Sequence, residues 1–115
     1  MGLADRILEI GDGIRFVILL DGDGKVTEKQ TRRDIKLILR EELLERAIAQ
    51  MTIVWAIANE LGKQTGQPSR IVLHHELVDL VVVKAANLYC GMTVDKSVKS
   101  DDLSKKVKEF IEQQE

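Results

Sequence analysis

Two spacings of apolar residues alternate along the chain, one of three to four and one without gaps. From Leu3 to Ile10, the residues Leu3, Ile7 and Ile10 recur at steps of four and three while Asp5 and Glu9 face water, which predicts a short helix. Gly11-Asp12-Gly13 ends it. Ile14 to Leu20 (IRFVILL) is a compact run between GDG and DGDG, rich in β-branched and aromatic residues, and predicts a strand. Asp21-Gly22-Asp23-Gly24 tolerates positive φ, and the more polar Lys25 to Gln30 follows as a second strand. The two make a hairpin with one central and one edge strand.

After Thr31-Arg32-Arg33-Asp34 the pattern turns helical, with neither Gly nor Pro from about Ile38 to Leu61. Leu44, Ile48, Met51, Trp55 and Ala58 step by four, three, four and three, with Ala47, Val54 and Leu61 beside them, which predicts one broad core-facing stripe. Glu42 and Arg46 are spaced as an i,i+4 ion pair, and Gly62 suits a left-handed C-terminal cap. Ile53 and Ile57 lie off the stripe. They widen the apolar arc beyond what a single sheet face covers.

Gln64 to Ser69 reads as a loop, and Arg70 to His75, Leu77 to Val83 and Leu88 to Val94 read as three strands. The connections at Glu76 and at Lys84 to Asn87 are too short for a crossover, so the three are antiparallel neighbours in a meander. Ser100 is placed to cap a last helix whose first turn carries Asp101 and Asp102 and whose stripe is Leu103, Val107, Phe110 and Ile111.

The predicted order is α-β-β-α-β-β-β-α. Antiparallel strands with one wet face alternate in polarity, yet FVILL and LVVV are apolar on both faces. Helices must therefore cover both sides. The expected fold is an α/β (α+β) one, a five-stranded antiparallel sheet in an α/β/α sandwich, with the long helix on one face and the terminal helices on the other.

Composition narrows the class. The 115 residues fit a single domain, spanning 1 to 115, that buries about two-thirds of its extended surface. With 44% hydrophobic and 31% charged residues and one Pro, the chain should fold rather than stay disordered. A net charge of -2 without a basic block argues against nucleic acid as a partner. Asp5, Arg6 and Glu9 interrupt any signal-peptide core, and the apolar stretch from Met51 to Leu61 is too short to span a bilayer. The lone Cys90 forms no intrachain disulfide, so a reducing cytoplasm and no membrane are expected.

Candidate chemistry is sparse. DGDGK lacks the spacing of a phosphate loop and leads into a strand; as an EF-hand begun at Asp21 it would need Gly and Glu where Val26 and Arg32 stand. A hairpin turn accounts for it. His74-His75-Glu76 resembles a metal or acid-base group, but adjacent strand residues point to opposite faces and no third ligand is evident. Cys90 lacks basic neighbours and reads as a core thiol. Ser97, Ser100 and Ser104 lack a nucleophile-elbow context, and Arg32-Arg33 is followed at once by Asp34. No enzyme, metal or cofactor is expected.

One resemblance rests on particular residues. An ILxI opening at Ile7 to Ile10, the RFV strand at Arg15 to Val17 running into the D-x-x-GK turn at Asp21 to Lys25, and a Glu-rich long helix carrying Gln50 are similar to the roadblock/LC7 group of longin/profilin-like domains, and most closely to small archaeal members. The resemblance covers Ile7 to Ile111. It implies a homodimer or heterodimer without catalysis, a scaffold or regulator that often acts on a small GTPase.

The apolar excess on the long helix agrees with such pairing. The expected interface is Ile53, Ile57, Trp55 and Gln50 on the helix, with Val72 and His74 on a strand that extends the sheet across the contact. The alternative is a small-molecule sensor with a pocket between the sheet and a helix, against which the 3% aromatic content weighs.

Overall fold

The structure is a computed structural model and describes residues 2–33 and 40–114. Its elements are α1 (Leu3–Leu8), β1 (Ile14–Leu20), β2 (Val26–Thr31), α2 (Glu41–Thr65), β3 (Arg70–His74), β4 (Val78–Ala85), β5 (Leu88–Asp95) and α3 (Ser100–Glu112). This is the predicted order. The expected helix start at Ile38 lies outside the described residues.

All neighbouring strands are antiparallel in one sheet of order β2-β1-β5-β4-β3. Strands β1, β5 and β4 form its centre, which explains why their sequences are apolar on both faces. Val17, Leu19, Val81, Val83, Cys90, Met92 and Val94 face α1 and α3, packing on Ile7, Leu103, Val107 and Ile111. The alternate residues Phe16, Ile18, Leu20, Leu80, Val82 and Tyr89 face α2, packing on Leu44, Ile48 and Trp55. Each fully buried aliphatic or Phe side chain contributes roughly 1.5–3 kcal/mol. The sandwich is as the hydrophobic pattern predicts.

Polar links tie the edges to the helices. Arg32, at the end of β2, donates from Nε to the Ile14 carbonyl at 2.7 Å and from Nη2 to the carbonyls of Leu8 and Gly11, satisfying the end of α1. Lys29 Nζ lies 2.7 Å from Glu45 Oε1 on α2 and 3.4 Å from Glu41 Oε2; the Glu45 hydrogen bond leads in raising the lysine pKa. On the other face Glu28 Oε1 accepts from the Ala4 amide at 3.1 Å.

Three expectations are corrected. Helix α2 runs through Gly62, whose missing side chain leaves room for Gln67, and stops at Gly66 with φ 90° and ψ 165°, a region open in practice to glycine alone. Ser100 is the first helical residue, and its hydroxyl reaches Asp79 rather than capping the helix. Val54 and Leu61, expected beside the core stripe, are exposed. Helix α2 meets the sheet along a narrower arc than the sequence pattern allows.

Candidate functional site

Helix α2 has two unlike sides. Toward the sheet it buries Leu44, Ile48, Trp55 and Gly62, with Met51 half-buried against the same core. Gly91 on β5 lets Ile48 come close enough that any Cβ there would clash with it. Away from the sheet, Ile53, Ile57 and Leu61 are 64%, 58% and 62% exposed, and Leu43 and Val54 are exposed beside them. Isolated surface aliphatics are ordinary, but Ile53, Val54, Ile57 and Leu61 are exposed together within nine residues of one helix.

The residues expected at an interface divide by burial. Ile53, Ile57 and Gln50 stand on the exposed side. Trp55 is the exception: it is 2% exposed, its ring edge-on to Tyr89 with centroids 6.0 Å apart, so it belongs to the core and supports the outer residues from behind. Val72 is half-buried against the core on the α1 and α3 side. His74 is exposed at the end of β3, the outermost strand of the sheet.

His74 does not join His75 and Glu76. Its Nδ1 lies 2.9 Å from Oδ1 of Asp79, which also receives Lys96 Nζ, while Oδ2 accepts from Ser100 Oγ at 2.7 Å. Burial raises the Asp79 pKa, but Lys96, Ser100 and His74 together override it and hold the carboxyl at about 2. An ionised carboxylate only accepts, so the facing His74 nitrogen carries its proton. Sequence reading missed this cluster. An Asp between apolar neighbours in LVDLVVV is the signal that could have exposed it, because a buried strand carboxylate needs partners.

An apolar groove of about 460 Å³ opens between the N-terminal half of α2 and the β3–β4 hairpin. Leu44 and Ala47 line it from the helix, Leu80 and Thr93 from the sheet, and Leu73, Leu77, His75 and Glu76 from the hairpin. Thr93 is 5% exposed, and among the described residues its Oγ1 has no hydrogen-bond partner.

Other candidates resolve into structure. Asp21 Oδ1 accepts from the amides of Asp23 and Lys25 at 2.9 and 3.0 Å, which closes the hairpin turn. Cys90 is fully buried, and desolvation pushes its thiol up to about 12, the inert core thiol expected. Arg32 is taken up by backbone carbonyls. Among the described residues no group of three His, Cys, Asp or Glu side chains is placed to hold a metal, and no helix is long and apolar enough to cross a membrane.

No family model and no curated protein matches the sequence. Solved structures do match. The gliding protein MglB from Thermus thermophilus aligns with a TM-score of 0.71 at 16% identity, over 96% of this chain and 83% of that one. MglB in a tetrameric arrangement gives 0.70 at 16% identity, over 96% and 82%. The Roadblock/LC7 domain from Streptomyces avermitilis gives 0.65 at 14% identity, over 95% and 94%. At these identities the shared property is the path of the chain. This chain has the roadblock/LC7 fold of the longin/profilin-like type.

Proposed function

We propose that the protein is a non-catalytic regulatory or scaffold module that works as a homodimer in the cytoplasm and recognises a protein partner through its surface. The observation that carries this reading is the exposed apolar side of α2, with Ile53 and Ile57 at its middle, beside the outer strand β3. Leaving these residues in water forfeits their burial, and a second copy of the same surface removes the loss for both chains. Ile53, Ile57 and Gln50 supply helix contacts in this reading. The free side of β3, around Val72 and His74, supplies main-chain pairing.

The fold likeness supports the same class. One of the similar structures is described as an MglB in a tetrameric arrangement, so this fold does assemble. The roadblock resemblance points to a small GTPase as the partner. Light scattering at low micromolar concentration tests the dimer: twice the chain mass is expected, and a strict monomer overturns it. Titration with a purified small GTPase from the same organism, loaded with GDP or a GTP analogue, tests the partner. Binding that differs between the two loads supports it, and no binding in either form removes the GTPase.

A second reading rests on Thr93. A buried hydroxyl with no partner among the described residues, lining an apolar groove between sheet and helix, suits a small apolar ligand with one hydrogen-bonding group. A melting-temperature screen of such molecules should give a shift that Thr93→Val abolishes. A screen without any shift removes the sensor reading.

A further inference from the structure

We propose that the groove between the N-terminal half of α2 and the β3–β4 hairpin binds a small apolar amine that carries one further, neutral hydrogen-bonding group, seated with that group inward on Thr93 and its ammonium outward at Glu76. The inference rests on the second reading above, that a small molecule occupies this groove, and adds the molecule's charge, length and direction.

The inner end follows from how α2 lies along β5. Tyr89, Gly91 and Thr93 alternate onto the face of the sheet that α2 covers. Trp55 closes over Tyr89, with ring centroids 6.0 Å apart, and Ile48 fills the space that a side chain at Gly91 would take. Thr93 is next in the row, and the helix cover runs out there, because Leu44 lies in the first turn of α2. The floor of the groove is Leu44, Val78, Leu80 and Thr93, all buried. Three of the four are aliphatic. The fourth brings a hydroxyl, able to donate and to accept, that no other described residue engages. Valine has nearly the same shape and would close the floor without that unmet group, so the hydroxyl marks where a polar atom of the ligand is received.

The mouth has a different character. His75, Glu76 and Leu77 are exposed at the hairpin tip, so the polar rim and the hydroxyl of the floor stand at opposite ends of an apolar passage. Among the described residues that line the groove, Glu76 is the one carboxylate and none is Lys or Arg. Glu76 makes no ion pair with any described residue. A fatty acid or other apolar anion would meet a like charge there with no cation to offset it, whereas an ammonium meets an unpaired carboxylate. When neutral, His75 beside it offers a ring nitrogen that accepts from the same ammonium.

Strand register bounds the length. Leu80 stands directly opposite Thr93, and Glu76 lies four residues back along β4 and its hairpin, at most ~13 Å away at ~3.3 Å per residue. A volume of about 460 Å³ corresponds to roughly fifteen non-hydrogen atoms at ~30 Å³ each. One aromatic ring with a short aminoalkyl arm and a hydroxyl on its far side satisfies both limits.

Three molecules that share an apolar body test the assignment. Tyramine has the hydroxyl and the ammonium, phenethylamine lacks the hydroxyl, and para-hydroxyphenylacetate carries a carboxylate in place of the ammonium. Titrations of the full chain followed by amide NMR shifts should show tyramine binding, with shifts at Thr93 and Glu76, phenethylamine binding roughly tenfold more weakly, and para-hydroxyphenylacetate more weakly still. Thr93→Val should make tyramine and phenethylamine equivalent, while Thr93→Ser, which keeps the hydroxyl, should preserve their difference. Glu76→Gln, at an exposed position, should weaken tyramine by roughly tenfold and narrow its lead over para-hydroxyphenylacetate. A carboxylate that binds as well as tyramine, or binding that neither Thr93→Val nor Glu76→Gln alters, overturns this ligand class and leaves the small-molecule reading to the melting-temperature screen. If none of the three molecules binds, this inference is overturned, and the small-molecule reading falls with it only when that screen is also blank.

Discussion

Ser100 Oγ donates to Asp79 Oδ2 at 2.7 Å, joining the first turn of α3 to strand β4 through a buried carboxylate. With Lys96 and His74 on the other oxygen, the Asp79 charge is shared among β3, the β5–α3 turn and α3.

Because the folded Asp79 pKa lies near 2 against an ordinary 3.8, the ionised form stabilises the fold. Its contribution, about 2 kcal/mol, is complete above about pH 4 and disappears as the pH falls through 2. Urea unfolding at pH 5, 4, 3 and 2 should show this loss. Asp79→Asn should be less stable at pH 5 by a similar amount and should have a flatter profile between pH 4 and 2.

A Cβ at Gly91 would lie 2.6 Å from both Cδ1 and Cγ2 of Ile48. Gly91→Ala should therefore cost about 1–3 kcal/mol by forcing α2 off the sheet. Adding Ile48→Val, which removes Cδ1, should restore part of that loss. A non-additive double-variant cycle in chemical denaturation is the measurement.

Ala86 adopts φ 55° in the two-residue turn between β4 and β5, a left-handed conformation that L residues disfavour. Ala86→Gly should raise stability by about 0.5–1 kcal/mol, glycine's extra chain entropy offsetting part of the relief. A higher melting temperature would show it.

With its thiol buried and its pKa near 12, Cys90 should not react with a thiol reagent in the native protein at pH 8. Labelling should appear only as urea unfolds the chain, with a midpoint that coincides with loss of Trp55 fluorescence. Earlier labelling would reveal opening of β5 alone.

The strands were legible because their signals are local: an apolar run, glycine-rich or two-residue turns, and connections too short for a crossover. Helix α2 was legible as a helix but not in its rotation. Its apolar arc includes both Leu44 and Leu61, and a 3.6-residue period cannot say which part of a wide arc meets the sheet. The edge contact of Trp55 with Tyr89 and the close approach of Ile48 to Gly91 decide that, and each joins residues more than thirty positions apart. Val54 and Leu61 were misplaced for this reason. Asp79 was overlooked for a similar one, since Lys96 and Ser100 follow it by 17 and 21 residues.

The two margins of the sheet are not alike. On β2, Glu28 is drawn to α1 and Lys29 to α2, so that margin carries charges anchored above and below it. The opposite margin, β3, carries its charges only at its ends, Arg70 on Asp101 and His74 on Asp79, and among the described residues none guards Ile71, Val72 and Leu73. A sheet that accepts a neighbour at only one border closes after a single addition, so strand pairing under the proposed reading would end at two copies and not run on into a fibre.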